Sequence, residues 1–327
     1  MWAFYPPVVL YILYLGIRHR CFTLFTAANP GIPHSGIALM SKSEILNGLM
    51  TMPERVATFT LLEGTLPTSE KWNRTLSFMN EHSFHFPIVL KPDFGERGKG
   101  VAIVHNQEQA LAYFNQTEET LIVQEYIPGI EFGVFYMRHP SQDRGCVFSL
   151  TAKCPTYVHG DGRKTLEQLI LDDPRAVCMA RFFLREFETQ LHDIIPAGER
   201  FTLAQLGTHS RGSLFLDAQD IWSEELESAF DKLSQSFDGF YIGRYDVRVD
   251  THQSIKAGTN FKVVELNGVV SEPTHMYDPK HNLVFAYFTM FSLWKKIFAI
   301  GAANKKRGSQ PSSLKELRQL MREFRSD

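Results

Sequence analysis

The sequence is poor in cysteine and has no excess of charge of either sign. Its four cysteines, Cys21, Cys146, Cys154 and Cys178, are scattered over 327 residues without a CxxC pair. This scatter argues against a zinc site or a disulfide scaffold and fits a reducing compartment. The 34 Lys and Arg are balanced by 36 Asp and Glu, so the chain has no general attraction to nucleic acid. We therefore predict a cytoplasmic protein whose cationic chemistry is local.

The chain also lacks internal repeats and low-complexity linkers. Its 327 residues are enough for a large core and for two or three lobes. The order strand, loop, strand, helix, strand over 86–127 predicts a small α+β lobe. Two antiparallel strands, "EFGVFYMR" and "CVFSLTAKC", open a second half in which 175–191 has the periodicity of one helix. The predicted class is α+β.

Two apolar, aromatic stretches leave a choice between protein core and membrane surface. In "MWAFYPPVVLYILYLGIRHR" the apolar run 8–17 is followed by Arg18, His19 and Arg20. The run is too short to span a bilayer of about 30 Å as a helix, and its cations follow it, unlike those of a signal peptide. A buried first helix and an interfacial anchor with a basic collar remain alternatives. The stretch 282–307 poses the same choice, and its Lys–Lys pair favours a core helix.

Two late strands, "YIGRYDVRVD" and "FKVVELNG", concentrate polar side chains, and a polar loop joins them. Side chains alternate along a strand, so Arg244, Asp246 and Arg248 share one side of theirs, and Glu265 and Asn267 share one side of the partner. If the registers match, two carboxylates and an amide oxygen converge, a set suited to Mg²⁺. The alternative is a solvated face with cross-strand ion pairs. The apolar surroundings of Glu265 weaken that alternative, because a buried carboxylate needs a cation.

A glycine-rich segment, "LKPDFGERGKG", follows an earlier apolar strand. Lys91 ends that strand, and Gly95, Gly98 and Gly100 can bring backbone amides close to an anion. The segment matches neither the Walker A pattern nor GxGxxG. Alone, it indicates a tight connection as readily as a phosphate cradle.

The order of these segments is similar to that of the ATP-grasp superfamily of carboxylate–amine ligases. The resemblance rests on "PIVLKP" with the glycine loop, "VQEYIPGIEFGV", "GRYDVRV" and "VVELNG", and extends over roughly 41–280. "GRYDVRV" resembles a strand of D-alanine–D-alanine ligases, and "YVHGDGRKTLEQLI" resembles a segment of cyanophycin synthetases. The resemblance implies an ATP-grasp fold, in which two α+β lobes hold the nucleotide between them. It departs from the ligases in lacking a full N-terminal Rossmann-like domain before "SKSEIL".

The resemblance also implies site residues, position by position. Lysines would contact the phosphates under a closing glycine loop, Glu125, Tyr126 and Ile127 would meet the adenine, and Glu131 would bind the ribose. The implied nucleotide-binding residues are Lys42, Lys91, Gly95, Arg97, Gly98, Lys99, Gly100, Glu125, Tyr126, Ile127, Glu131 and Lys153. Asp246, Glu265 and Asn267 would hold two Mg²⁺ ions, with Arg244 and Lys91 as catalytic residues.

Further side chains are candidates for holding the substrates. They are Arg211, Arg248, Ser271, Glu272, Thr274 and His275. For His275 and for His209 a structural, hydrogen-bonded histidine is an equally favoured interpretation. The substitutions Asp246→Asn, Glu265→Gln and Arg244→Ala are expected to abolish turnover and to leave the fold intact.

The implied activity is ATP-dependent ligation, in which a carboxylate is activated as an acyl phosphate and joined to an amine of an amino acid or a peptide-like molecule. The alternatives are a non-catalytic nucleotide-binding or membrane-associated regulator and a phosphotransferase. The expected partners are small molecules and no nucleic acid, with peripheral membrane contact through 1–20 at the inner face as an open alternative. The predicted divisions are 1–40 (apolar segment and substrate-side loop), 41–85 (N-terminal part of the ATP-grasp unit), 86–128 (small lobe with the glycine-rich segment), 129–300 (large lobe with metal site) and 301–327 (basic helix).

Overall fold

A computed structural model describes residues 4–95, 98–204 and 212–326. Within these ranges helices and strands are mixed, and the strands form antiparallel sheets, which confirms the α+β class. The helices are α1 (Tyr5–Arg18), α2 (Lys42–Asn47), α3 (Thr68–Glu81), α4 (Gln107–Phe114), α5 (Leu166–Asp172), α6 (Ala180–Glu186), α7 (Glu224–Ser236), α8 (His252–Lys256), α9 (Leu283–Lys306) and α10 (Leu314–Ser326). The strands are β1 (Phe59–Leu62), β2 (Ile88–Pro92), β3 (Ala102–Val104), β4 (Leu121–Glu125), β5 (Ile130–Met137), β6 (Cys146–Cys154), β7 (Thr156–His159), β8 (Arg200–Ala204), β9 (Leu214–Asp217), β10 (Ile242–Val249) and β11 (Phe261–Asn267).

A four-stranded sheet in the order β1-β4-β2-β3 forms the smaller unit. The helices α3 and α4 pack on it, and their Phe78 and Phe114 are buried together with Ile88, Leu90 and Val123 of the sheet. The side chain of Asn106 caps α4 by accepting a hydrogen bond from the Gln109 amide, which satisfies a backbone donor that the first turn leaves unpaired. The predicted order of elements over 86–127 is confirmed.

A five-stranded sheet in the order β11-β10-β5-β6-β9 forms the larger unit. One face packs against α7 and α2, which bury Phe230 and Leu46 against it. On the opposite face, Ile242 and Met137 pack in one cluster with residues of α9. Because side chains alternate along β10, Arg244 and Asp246 continue the same face as Ile242. The charged residues therefore lie on the face that α9 covers only in part.

The two sheets meet along β11. The Ala57 amide, just before β1, donates to the Val263 carbonyl at 2.9 Å, and Val56 and Val263 form a parallel bridge. From β2 of the smaller sheet, the Lys91 ammonium donates to the Val264 carbonyl at 2.9 Å. These contacts place the end of β2, where the glycine-rich segment begins, beside the strand that carries Glu265.

The structure differs from the local predictions in three places. The single helix expected over 175–191 is a 3₁₀ turn, Ala176–Met179, followed by the short α6. The chain leaves helical geometry at Met179, whose φ and ψ are −118° and 16°. The strands β7, β8 and β9 were not predicted, since they are short and pair with segments far along the chain. The polar loop before β11 contains α8, capped by the Thr251 side chain.

The apolar helices α1 and α9 lie side by side. The rings of Phe4 and Tyr287 stack at 4.9 Å between centroids, and those of Tyr11 and Phe291 lie 4.7 Å apart, so the helices run parallel. On its inner side α9 is a core helix, with Met290 among its buried residues. Of the described helices, α9 is long and apolar enough to cross a membrane, by length and composition alone.

Candidate active site

The site is built on the pairing of β10 with β11. In this antiparallel register Asp246 lies opposite Glu265, and Arg244 lies opposite Asn267. The Asn267 amide nitrogen donates to Asp246 Oδ2 at 3.3 Å. The structure thus brings together the three side chains that the resemblance implies as Mg²⁺ ligands.

Asp246 is held between two buried cations. Arg244 Nε lies 2.9 Å from its Oδ1, and Lys153 Nζ lies 3.0 Å from its Oδ2. Only 3% of the Lys153 side chain and 6% of the Asp246 side chain are exposed. Burial alone would raise the pKa of Asp246, but Arg244 and Lys153 outweigh it and lower the pKa. Burial likewise opposes the charge of Lys153, yet Asp246 and Glu131 raise its pKa, so Asp246 and Lys153 both stay charged.

Glu265 differs from Asp246 in having free ligand capacity. It is half-buried, and no hydrogen bond or ion pair joins its carboxylate to any described residue. Within the described ranges no three His, Cys, Asp or Glu side chains gather around one point, so the donor set is two carboxylates and the Asn267 amide oxygen. Mg²⁺ uses one or two protein carboxylates and takes its remaining ligands from water and phosphate. The set fits that ion.

Lys91 reaches the same region from the smaller sheet. Its Nζ donates to Gln124 Oε1 and to the Val264 carbonyl, both at 2.9 Å. Burial lowers the pKa of Lys91 to about 8, although the nearby Glu265 carboxylate opposes that fall. Sequence reasoning missed Gln124, whose only signal is a polar residue within the apolar strand "LIVQE".

Lys42 and Asp93 fasten the start of the glycine-rich segment. Lys42 Nζ donates to the carbonyls of Pro92 at 3.1 Å, Asp93 at 3.2 Å and Gly95 at 2.7 Å. The Asp93 carboxylate, which was not predicted, accepts from the Ser41 hydroxyl and the Ser43 amide, both at 2.8 Å. The hydroxyl of Ser41 also caps α2, as its position before the helix predicts.

The glycine-rich segment needs glycine for its backbone. Gly98 and Gly100 have φ of 73° and 72°, in the left-handed region that side chains disfavour. A Cβ on Gly100 would lie 2.7 Å from Pro92 Cγ. Lys99 is exposed between them, and Arg97 lies outside the described residues.

The residues implied to meet the adenine lie at the end of β4 and in the connection to β5. Glu125 accepts from Lys262 at 2.7 Å and from the Thr58 amide at 3.2 Å, so its carboxylate ties the two sheets together. These two contacts outweigh the effect of burial and lower the pKa of Glu125. Tyr126 and Ile127 follow it directly, and the Arg248 guanidinium lies 5.5 Å from the Tyr126 ring centre.

Glu131 and Arg248 form the far end of the cluster. Glu131 accepts from Lys153 at 2.8 Å and lies 3.7 Å from Arg248. The structure places Arg248 beside the predicted adenine and ribose contacts, whereas the sequence grouped it with the substrate candidates. The reason is geometric: Arg248 is four residues beyond Arg244, or about 13 Å along a strand. Its buried Nε has no hydrogen-bond partner among the described residues.

The segment after β11 borders the site at Glu272. Its backbone carbonyl accepts from Arg244 at 3.2 Å, and its carboxylate accepts from the hydroxyls of Tyr5 and Tyr277. Ser271 donates to the Gly268 carbonyl at 2.6 Å and so holds a turn. Burial lowers the pKa of His275, and its ring contacts the Pro273 carbonyl and Phe285, in keeping with the structural interpretation. Arg211 and His209 lie outside the described residues.

Gly133 of β5 lets Arg244 and Asp246 lie close to the backbone of the sheet. A Cβ on Gly133 would lie 3.3 Å from Arg244 Cδ and 3.7 Å from Asp246 Oδ1. Next to it, the Thr274 hydroxyl donates to that of Thr151 at 3.1 Å. Sequence reasoning proposed Thr274 but missed Gly133 and Thr151, because only the pairing of β5 with β6 and β10 brings them here.

The two α+β units meet at a cation-rich junction, and arginine and lysine side chains suit phosphate groups. In a comparison with known families, residues 65–132 match the family described as RimK-like ATP-grasp domain. The match includes Lys91, the glycine-rich segment and Glu131, whereas β10 and β11 lie outside it. The resemblance to ATP-grasp carboxylate–amine ligases and the expected ATP-grasp fold are confirmed.

Relatives of known activity match a larger part of the chain. The glutathione biosynthesis bifunctional protein GshAB of Streptococcus mutans serotype c is 24% identical over 214 residues, which covers 58% of this chain and 28% of that protein. A cyanophycin synthetase of Synechocystis sp. is 24% identical over 213 residues, which covers 58% of this chain and 24% of that protein. The chain thus spans about a quarter of the length of these relatives.

Solved structures are similar in outline. The D-alanine–D-alanine ligase from Bacillus anthracis aligns over 82% of this chain and 69% of its own, with a TM-score of 0.47 and 12% sequence identity. A bifunctional glutathione synthetase from Pasteurella multocida aligns over 77% of this chain and 36% of its own, with a TM-score of 0.41 and 16% identity.

Proposed function

We propose that the protein is an ATP-dependent ligase that activates a carboxylate as an acyl phosphate and joins it to an amine. The proposal rests above all on one observation: Lys91 from one sheet and Lys153, Arg244, Asp246 and Glu265 from the other meet at a single junction. The family match of the smaller unit supports ATP as the phosphoryl donor.

The charges at the junction suit a polyphosphate. Lys91, Lys153 and Arg244 are all nearly or largely buried, and buried cations attract phosphate more strongly than exposed ones because water screens them less. The backbone amides of the glycine-rich segment can add further donors. In this proposal Lys91 and Lys153 bind phosphate oxygens, and Lys42 keeps the segment in place.

Asp246, Glu265 and Asn267 would hold Mg²⁺, which supplies charge neutralisation at the phosphates when it is bound. The described residues contribute alignment and charge in the same way. Phosphoryl transfer needs little covalent help from the protein, so positioning dominates catalysis. Glu265 is the ligand most ready to bind, since no described residue holds its carboxylate.

Arg244 would stabilise the oxyanion that forms when the amine attacks the acyl phosphate. Its Nε is fixed by Asp246 at 2.9 Å and its NH1 by the Glu272 carbonyl at 3.2 Å, so the guanidinium is oriented before the reaction. Glu272 and Thr274 are the candidate contacts for the amine-bearing substrate. Arg248, which lies near Tyr126 and Glu131, is instead a candidate contact for the nucleotide.

The test is an ADP-release assay with Mg²⁺ and ATP across amino acids, dipeptides and hydroxy acids, followed by mass analysis of any mixture that reacts. We expect a product equal in mass to the two substrates less one water. Glu265→Gln should remove the activity. A phosphorylated product without condensation would identify a phosphotransferase instead, and binding of ATP without any release of ADP would identify a non-catalytic nucleotide-binding protein.

A further inference from the structure

The proposed ligase activity leaves the outer surface of α1 and α9 unexplained. The exposed side of α1 consists of Val9, Leu10, Leu13, Tyr14 and Ile17, which are 45–68% exposed. On α9, Leu283, Val284 and Phe288 are 59–70% exposed. Because the two helices pack side by side, these side chains form one surface, which we name the apolar face.

Cations lie at the end of α1 and on the exposed side of α9. Arg18 and Arg20 follow Ile17 directly. On α9, Lys295 and Lys306 are exposed and lie 7 and 18 residues beyond Phe288. Those spacings are about two and five helical turns, so both lysines lie on the side of the helix that presents Phe288.

Acidic residues are unevenly distributed along the chain. The segments 1–41 and 281–313 contain no Asp or Glu, and they hold seven of the 34 Lys and Arg. The other 27 cations accompany all 36 acids. A chain with a net charge of −2 therefore carries no acid within the two segments that contain α1 and α9.

We propose that the apolar face is a docking surface for an anionic lipid bilayer. Apolar side chains would enter the boundary between headgroups and acyl chains, while these lysines and arginines would attract lipid phosphates. Tyr14, which accepts a hydrogen bond from Arg18 at 3.4 Å, has the amphipathic character of residues at membrane interfaces. Docking would be peripheral, because the inner side of α9 belongs to the protein core.

A bilayer fits this surface better than a second copy of the chain does. In a symmetric pair the same patch meets itself, so the lysines and arginines of one copy would face those of the other. An anionic membrane supplies the missing negative charge and accepts the apolar side chains at the same time.

The first experiment is flotation of the full chain with vesicles of phosphatidylcholine alone and of phosphatidylcholine with phosphatidylserine. We expect binding to the anionic vesicles that weakens as salt is raised, because surface charges are screened. Leu10→Glu and Ile17→Glu should each lower the partition coefficient about tenfold or more, since each replaces an inserting side chain by a charge.

The matched control is Leu76→Glu, which changes a 41% exposed leucine on α3 of the smaller unit and should leave vesicle binding unchanged. Lys295→Gln with Lys306→Gln tests the cations: binding to anionic vesicles should fall about fivefold per charge removed, whereas binding to neutral vesicles should not change. Circular dichroism checks that each variant is folded.

The proposal is overturned if the folded chain does not bind anionic vesicles. It is equally overturned if Leu10→Glu binds them as well as the unchanged protein does. A wild-type dimer in light scattering that Leu10→Glu converts to a monomer, without vesicle binding by either, would assign the apolar face to a second copy. ATP turnover measured without lipid should be the same in all these variants, so the outcome is separate from the test of ligase activity.

Discussion

At the scale of single residues, the acids of the site differ in what their loss would cost. Asp246 forms ion pairs with the buried Lys153 and the largely buried Arg244. Glu265, in contrast, makes no hydrogen bond or ion pair with any described residue. A carboxylate that holds cations in place is structural as well as functional. One that is held by nothing contributes little to folding and is available to a ligand.

This difference predicts opposite results for two conservative substitutions. Asp246→Asn should lower the free energy of unfolding by about 3–5 kcal/mol, because Lys153 and Arg244 lose a buried counter-charge. Glu265→Gln should change it by less than about 0.5 kcal/mol. Urea unfolding measures both, and equal stability of the two variants would contradict the ion-pair geometry. The ion pairs of Asp246 thus predict a loss of stability for Asp246→Asn that the sequence alone does not.

The same two variants separate stability from turnover. We expect Glu265→Gln to lower the rate of ATP-dependent turnover about 10²-fold or more, the usual cost of losing one preorganised group at a transition state. An unchanged rate in this well-folded variant would exclude Glu265 from the metal site.

Lys91 predicts a pH dependence of nucleotide binding. Burial lowers its pKa to about 8, so the ammonium is present below that pH and is lost as the pH rises through it. The Kd for ATP should therefore increase above about pH 8. Calorimetric titrations between roughly pH 6.5 and 9.5 measure the effect. Lys91→Arg is the control, because a guanidinium stays charged over this range and should flatten the profile; a flat wild-type profile would contradict the prediction.

At the scale of elements, Asp93 joins two segments that are far apart in sequence. Its carboxylate accepts from Ser41 and the Ser43 amide, and this contact starts α2 next to the end of β2. The position of Lys42 against the glycine-rich segment depends on that junction.

Asp93→Ala should therefore weaken both stability and ATP binding. We expect the free energy of unfolding to fall by about 1–3 kcal/mol, because a buried amide and a hydroxyl lose their acceptor. The KM for ATP should rise as Lys42 loses its place. Ser41→Ala, which removes one of the two donors and the helix cap, should give a smaller loss of about 1 kcal/mol. An unchanged KM for ATP in Asp93→Ala would show that the glycine-rich segment keeps its position without the contacts of Asp93.

At the scale of the whole molecule, the proposed site depends on the contact between β11, the edge strand of the larger sheet, and the smaller unit. The carbonyls of β11 accept from Ala57 and Lys91 of the smaller unit, and Lys262 pairs with Glu125 across the same edge. A nucleotide at this junction would contact both units at once.

Hydrogen exchange with and without Mg²⁺ and ATP tests that geometry. We expect slower exchange in 88–95 and in 261–267, since a ligand between the sheets stabilises both. The segment 166–186 belongs to a separate apolar cluster and serves as the internal control. Protection limited to one sheet would contradict binding between the lobes.

Much of this fold could be read from local pattern. Alternation along "YIGRYDVRVD" and "FKVVELNG" fixed which side chains share a face, and the apolar run before Lys91 fixed the strand that delivers it. These predictions succeed because they depend on residues within a few positions of each other.

The sequence by itself determined the polar faces of β10 and β11, the glycine-rich turn and the two apolar helices. Only the tertiary structure decided that Asp246 pairs with Lys153 and that Gln124 and Val264 accept hydrogen bonds from Lys91. It also decided which side of α1 is exposed and which side of α9 is buried in the core. Such pairings join strands tens to hundreds of residues apart, and no local propensity encodes which distant partner wins. Burial and charge compensation choose among them once the sheets are assembled.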